Sequence, residues 1–163
     1  MKVLVLDDQR VQRLVLSEVV RQCGVEVTVI EFERPQTALS WAATHGPDML
    51  LIDYKMPGMN GIEFTRAYRA ACGTSAPVLI CTCLDDPGIE NLALDAGATD
   101  FLTKPLRIPA ATFKIRNLLS QRQGHLHMCQ RAEQAERRHR LLSDRFASGL
   151  GALVSRMAGT TRH

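Results

Sequence analysis

The stretch MLLIDYKMPGMNG, residues 49–61, decides the fold of this chain. Its first four residues form an apolar run typical of a buried strand, and Asp53 ends that run. A turn rich in Pro and Gly follows and leads into a helical pattern from Ile62 to Cys72. A strand that is apolar on both faces belongs in a parallel sheet covered by helices on each side. The stretch therefore predicts an α/β domain with a carboxylate at the end of a central strand.

Four more strand patterns alternate with helical patterns along the chain. The strands are predicted at 3–6, 26–32, 77–82 and 100–103, and the helices at 11–23, 35–46, 62–72, 87–96 and from 110 onward. Strands that alternate with helices of about ten residues indicate βαβ units with right-handed crossovers. We expect a flavodoxin-like, doubly wound, five-stranded parallel sheet of order 2-1-3-4-5, with a C-terminal helical extension.

Functional side chains follow four of these strands at their carboxyl ends. Asp7 and Asp8 follow the first, Asp53 the third, Thr82 closes the fourth and Lys104 follows the fifth. The expected order makes strands one and three neighbours at a topological switch point, where ligands bind in such sheets. The three carboxylates, the hydroxyl and the ammonium should therefore meet in one pocket.

Three carboxylates at close range raise one another's pKa unless a cation lies among them. Oxygen ligands without His or Cys suit Mg²⁺, which keeps several waters and shares its coordination with phosphate. One carboxylate can then attack phosphorus while Lys104 and Thr82 contact the phosphoryl oxygens. Taken singly, each residue also has an ordinary structural explanation as a turn, cap or strand residue. Their joint occurrence in this order favours the phosphoryl site.

At these positions the chain clearly resembles the receiver domain of two-component response regulators. The resemblance covers residues 1–120, and its motifs are Val5-Leu6-Asp7-Asp8, residues 53–61, Thr82, residues 96–100 and residues 101–105. It implies that Asp53 is the phosphoacceptor and that Asp7, Asp8 and the backbone carbonyl of Lys55 join Asp53 as Mg²⁺ ligands. It also implies a switch through Thr82 and Phe101, a phosphate-binding Lys104, and a cis peptide bond before Pro105.

The resemblance implies a signalling role rather than conventional enzymatic turnover. A sensor histidine kinase or phosphotransfer protein would donate the phosphoryl group, and the face of helix four, strand five and helix five would then change. Its output would be homodimerisation, a partner protein or a further domain. The alternatives are a phosphorylation-independent interaction module and a receiver fragment of a longer enzyme related to cyclic di-GMP.

Two enzyme classes are disfavoured by particular residues. Aspartate-nucleophile phosphatases usually carry a second Asp two residues after the nucleophile, where this chain has Lys55. A dinucleotide-binding enzyme would need a GxGxxG motif after the first strand, where Asp7 and Asp8 would repel a pyrophosphate.

Composition points to a cytoplasmic protein. The five cysteines show no CxxC or metal spacing, and no apolar stretch approaches the roughly 18 residues of a membrane span. The start of the chain does not have the pattern of a signal peptide. We expect no membrane association and no direct binding of nucleic acid by the receiver.

Residues 121–163 are expected to be a helical extension, linker or dimerisation segment beyond the receiver at 1–120. Residues 119–163 hold 8 Arg and 3 acidic residues, in a pattern typical of a solvated helix face. An apolar stripe recurs every three or four residues from Leu126 to Met157. We predict a continuation of helix five, broken or bent near its glycines, that packs against a second copy. The glycines are Gly124, Gly149 and Gly151.

Overall fold

A computed structural model describes residues 1–73, 75–83 and 88–159, with side chains through residue 142. Its five strands are β1 (Lys2–Leu6), β2 (Thr28–Phe32), β3 (Met49–Asp53), β4 (Val78–Cys83) and β5 (Asp100–Lys104). Its five helices are α1 (Arg10–Arg21), α2 (Pro35–His45), α3 (Gly61–Cys72), α4 (Ile89–Asp95) and α5 (Ile108–Gly159).

The strands form one parallel sheet of order β2-β1-β3-β4-β5, which confirms the predicted fold. The register pairs Leu6 of β1 with Ile52 of β3, so both strands end at the same level. On the other side of β3, Asp53 pairs with Cys81 of β4. The first, third and fourth strands thus present their carboxyl ends side by side.

Both faces of the sheet are covered by helices, as the continuous apolar runs predict. On one face, Leu50, Ile52 and Ile80 pack with apolar residues of α2, α3 and α4. On the other face, Leu51 and Cys81 pack with residues of α1 and α5. β1, β3 and β4 are therefore buried from both sides, and polar groups can meet solvent chiefly at the ends of the strands.

Helix and strand boundaries differ from the predicted ones by only a few residues. β2 begins at Thr28 rather than at residue 26, and α5 begins at Ile108 rather than near residue 110. The predicted start of α4, Pro87, lies outside the described residues.

The chain divides into two compact units, Met1–Gln123 and Gly124–His163. In the second unit, the side chains of residues 124–142 are mostly exposed. The backbone is helical at Gly124, Gly149 and Gly151, so the predicted break near these glycines does not occur. Each Gly costs up to about 1 kcal/mol in a helix relative to Ala, and flanking Arg, Gln, Leu and Ala residues favour helix strongly enough to offset it. Within the described residues, no helix has the length and apolarity that a membrane crossing needs.

Gly61 brings the start of α3 against the end of β3. The loop between them closes through a hydrogen bond from the Gly61 N–H to the Tyr54 carbonyl, at 2.9 Å. Asn60 caps the helix by accepting from the N–H groups of Ile62 and Glu63. A Cβ atom on Gly61 would stand 2.6 Å from the carbonyl oxygen of Asp53. Only glycine therefore allows the helix to begin this close to the carboxylate strand.

Gly61→Ala is expected to lower the free energy of unfolding by about 1–3 kcal/mol, because the added methyl group overlaps backbone that cannot move away freely. Urea denaturation of the full chain measures this loss. Gly124→Ala is the matched control, since no atom lies within 4 Å of its added Cβ. That control should leave stability unchanged or raise it by up to about 1 kcal/mol. Equal effects of the two substitutions would contradict the proposed role of Gly61.

Candidate functional site

Three carboxylates meet at the carboxyl ends of β1 and β3, as the sequence predicts. One oxygen from each of Asp7, Asp8 and Asp53 lies within 4.8 Å of the others. Asp7 is fully buried, and Asp53 is 5% exposed. The Asp7 Oδ1 atom accepts a hydrogen bond of 2.8 Å from the Gln9 N–H, which fixes the carboxylate at the turn into α1. The backbone thus fixes the Asp7 carboxylate within the cluster.

Lys104 joins the carboxylates from the end of β5. Its Nζ atom donates to Asp53 Oδ1 at 2.5 Å and to Asp7 Oδ2 at 3.1 Å. It also contacts Gln12 Oε1 on α1. These bonds join residues 97 and 51 positions apart in the chain, so only the folded sheet creates them. The peptide bond between Lys104 and Pro105 is cis.

The electrostatics of the pocket leave it short of positive charge. Burial raises the pKa of Asp53, and the charges of Asp7 and Asp8 raise it further, against the lowering effect of Lys104. Burial opposes the charged form of Lys104, but the hydrogen bond and charge of Asp53 raise the pKa of the ammonium above its ordinary value. Among the described residues, Lys104 is the cation that hydrogen-bonds to these carboxylates, and a further cation would stabilise the ionised site.

The thiol of Cys81 lies beside this pocket without taking part in its charge. Cys81 is fully buried and pairs with Asp53 across the sheet. Burial raises the pKa of the thiol to about 12, so it stays protonated and neutral at physiological pH.

The donors present suit a hard divalent cation. The cluster offers carboxylate oxygens only, the ligand type that Mg²⁺ prefers over nitrogen or sulfur. The Asp8 Oδ1 atom is buried and has no hydrogen-bond partner among the described residues. A buried carboxylate oxygen without a partner is costly, and coordination of a cation would satisfy it.

The other predicted site residues, Thr82, Phe101 and Lys55, differ in their exposure and in their contacts. Thr82 is 4% exposed at the end of β4, and its hydroxyl donates to the Cys83 carbonyl at 3.3 Å. Phe101 is partly exposed on β5, where its ring lies 5.0 Å from Lys114 Nζ. The side chain of Lys55 is exposed in the loop after β3.

Three residues at or near the site escaped the sequence analysis. Gln12 contacts Lys104, and Arg13 donates to the carbonyl oxygen of Asp7 at 2.7 Å. Lys114 contacts Phe101 from α5. Their polar side chains carry no motif, and their positions on α1 and α5 resemble ordinary exposed helix positions in the sequence. Only the packing of these helices on the sheet brings them near the site.

Comparison with known proteins places this geometry in context. The family profile described as the response regulator receiver domain matches residues 3–116. The cyclic di-GMP phosphodiesterase response regulator RpfG of Xanthomonas campestris pv. campestris is 37% identical over 139 residues, which are 85% of this chain and 37% of that protein. A cyclic di-GMP phosphodiesterase of Thermotoga maritima is 31% identical over 127 residues, which are 78% of this chain and 33% of that protein. The chain thus spans roughly a third of the length of these two relatives.

Solved structures share the fold of the first unit. The receiver domain of Francisella response regulator 1452 superposes with a TM-score of 0.66 at 27% identity, covering 74% of this chain and 97% of that one. The Vibrio cholerae chemotaxis protein CheY4 superposes with a TM-score of 0.63 at 28% identity, covering 72% and 97%. In both cases the neighbour is covered almost completely, so the similarity extends over an entire domain.

Asp53→Asn is expected to raise the free energy of unfolding at pH 7 in EDTA by about 0.5–2 kcal/mol, the range of a typical stabilising substitution, because it removes one of three crowded carboxylates. The pKa of Asp53 is higher in the folded chain than its ordinary value of 3.8. The folded state therefore binds more protons between those two values, and wild-type stability rises as pH falls through that window. The advantage of Asp53→Asn should be full above the folded pKa and should shrink toward pH 4.

Urea denaturation at a series of pH values from 8 to 4 measures this advantage. Asp95→Asn, which removes an exposed acid at the end of α4, is the matched control for the loss of one carboxylate. An advantage that stays constant across the pH series would contradict the proposed cause.

Proposed function

The chain belongs to the response regulator receiver family, matched over residues 3–116, and we propose on that premise that it accepts a phosphoryl group on Asp53. The donor would be a sensor histidine kinase or a phosphotransfer protein. The observation that carries this proposal is the convergence of Asp7, Asp8, Asp53 and Lys104 within one set of close contacts. Receiver domains are generally not catalysts in the ordinary sense, and this chain would be a phosphoacceptor.

The proposed transfer makes one bond and breaks another. A carboxylate oxygen of Asp53 attacks the phosphorus of the donor, the bond from phosphorus to the donor histidine nitrogen breaks, and an acyl phosphate forms. The Lys104 ammonium already contacts Asp53, so it is placed to neutralise charge on the phosphoryl oxygens. Thr82 at the end of the neighbouring strand would supply a hydroxyl to the same group.

Mg²⁺ is the proposed cofactor. Asp7, Asp8 and Asp53 would hold it, with the backbone carbonyl of Lys55 as a further ligand. When bound, the ion supplies positive charge that offsets the negative charge of the transferred group. The all-oxygen donor set and the unpartnered Asp8 Oδ1 atom support this assignment.

A phosphoryl group would turn this site into a two-state switch. It adds about −1.5 to −2 charges close to Thr82 and Lys104. Movement of Thr82 toward the new group would free space for Phe101, and the face formed by α4, β5 and α5 would change. The ligand shifts a population between two arrangements, because it binds one of them more strongly.

A groove beside Lys104 supports docking of a protein donor. It has a volume of about 290 Å³, and its lining includes Val11 and Val15 of α1, Lys104, and Ile108 of α5. Val11 is 73% exposed and Val15 and Ile108 are each 40% exposed, so the groove presents an apolar patch of the kind that marks interaction sites. A donor seated on this apolar surface would bring its phosphoryl group near Asp53.

We assign residues 1–120 to the receiver and residues 121–163 to an extension used for homodimerisation, with the α4–β5–α5 face as the alternative dimer surface. Leu142 on the predicted stripe is 51% exposed, which leaves it available to a second helix. A cytoplasmic location is supported by the five cysteines, all of which are free thiols.

A second candidate function is supported by the relatives. Two of them carry names that identify cyclic di-GMP phosphodiesterases, and this chain spans only about a third of each. The chain would then be the receiver portion of a longer regulator, with its output in another segment. A phosphorylation-independent interaction module is the other alternative, and it predicts that Asp53 is dispensable.

Beryllofluoride, which mimics an aspartyl phosphate, is expected to bind the full chain with Mg²⁺ and to raise its stability. At one hundred times its Kd the gain should be about 2.7 kcal/mol. Thermal unfolding with Mg²⁺ alone and with Mg²⁺ plus beryllofluoride measures it. Asp53→Ala should lose the beryllofluoride response, whereas Asp95→Asn should keep it. Absence of any response in the wild-type chain would reject the phosphoacceptor assignment.

Leu142→Asp is expected to weaken homodimerisation at least tenfold, because it places a charge within the apolar stripe of the extension. Light scattering over a concentration series, with and without beryllofluoride, measures the change. Leu141→Asp is the matched control, since Leu141 is 66% exposed but lies off the stripe. Dimers that persist in both variants and after removal of residues 124–163 would assign the interface to the α4–β5–α5 face.

A further inference from the structure

Lys114 of α5 makes three contacts with the beginning of β5. Its Nζ atom donates to Asp100 Oδ1 at 2.8 Å and to the Phe101 carbonyl oxygen at 2.8 Å. The same atom lies 5.0 Å from the centre of the Phe101 ring, within the range of a cation–π interaction. The ammonium is therefore anchored by the backbone and Asp100 while it faces the ring.

The Phe101 ring lies at the open edge of the sheet. Phe101 pairs with Ile80, so its side chain leaves β5 on the face covered by α2, α3 and α4, the face that Thr82 shares. Lys114 comes from α5, which covers the opposite face. Because β5 is the edge strand, the ring can reach Lys114 only around this edge. There it lines a hollow of about 210 Å³ with residues of α5.

We propose that Lys114 is a positioning residue that holds the Phe101 ring at this edge and so opposes the response of the site to a phosphoryl group. The inference rests on the proposed function, in which Phe101 moves when Thr82 turns toward the acyl phosphate. In the present structure the Thr82 hydroxyl donates to the Cys83 carbonyl, and the Phe101 ring contacts Lys114. In the proposed switch, Thr82 would therefore have to break its hydrogen bond to Cys83, and Phe101 would have to break its contact with Lys114.

Because Phe101 is a phenylalanine, its contact with Lys114 can affect the balance between two positions of its ring. Phenylalanine has no hydroxyl group to hydrogen-bond at either end of its movement, so only packing and the attraction to Lys114 distinguish its two positions. The bonds from Lys114 to Asp100 and to the Phe101 carbonyl do not involve the ring, so the ammonium would stay in place when the ring leaves. The lost contact is then the cation–π interaction alone, equivalent to about a two- to fivefold change in population.

A plain surface ion pair is the competing explanation. Lys114 and Asp100 are both partly exposed, and such pairs usually contribute little to stability. In that case the effect of Lys114 on ligand binding would not depend on the presence of the Phe101 ring. Removal of a cation would also weaken, rather than strengthen, the binding of an anionic phosphoryl mimic. The two explanations therefore predict changes of opposite sign.

The test measures the Kd of beryllofluoride for the full chain in saturating Mg²⁺ by fluorine NMR. Lys114→Gln is expected to lower the Kd about two- to fivefold, while Lys114→Arg, which keeps a cation over the ring, should match wild type. Arg116→Gln is the matched control for charge, since it removes an exposed cation two residues away on α5. In a Phe101→Leu background, Lys114→Gln should have no effect.

An unchanged or higher Kd in Lys114→Gln would overturn the positioning role, as would an equal effect in the Phe101→Leu background. Failure of the wild-type chain to bind beryllofluoride would instead overturn the proposed function itself, and the role of Lys114 with it.

Discussion

The accumulation of like charge at one edge of the sheet is the constraint on which the rest of this structure depends. One oxygen from each of three carboxylates lies within 4.8 Å of the others, and Lys104 pairs with two of these carboxylates, Asp7 and Asp53. Such crowding of like charge costs folding free energy, and the packing of the surrounding sheet offsets that cost. In the proposed function, a bound cation would offset this negative charge and so favour the states of the domain that bind it.

Apolar packing on both faces of the sheet stabilises the domain against the repulsion between these carboxylates. The central strands are covered by α2, α3 and α4 on one face and by α1 and α5 on the other, and Gly61 lets α3 begin directly against the Asp53 backbone. The candidate site therefore lies at the carboxyl ends of buried central strands, while the proposed switch residue Phe101 lies on the edge strand β5. β5 contributes both Lys104, which contacts the carboxylates, and Phe101, which contacts Lys114.

The proposed site and the proposed switch residue lie on one short strand. Only two residues of β5, Leu102 and Thr103, separate Phe101 from Lys104, and α5 begins at Ile108, four positions after Lys104. A change at Asp53 need not travel far to reach α5, whose backbone stays helical as far as Gly159.

The sequence by itself determined the sheet order and the grouping of Asp7, Asp8, Asp53 and Lys104, because apolar runs on both faces require a parallel sheet whose strand ends converge. The same local patterns predicted the helical extension, but glycine propensity suggested a break that neighbouring helix formers outweigh. Tertiary structure alone decided the contacts of Gln12, Arg13 and Lys114. Each of these contacts depends on the orientation of α1 or α5 against the sheet. Side-chain packing between residues far apart in the chain sets that orientation.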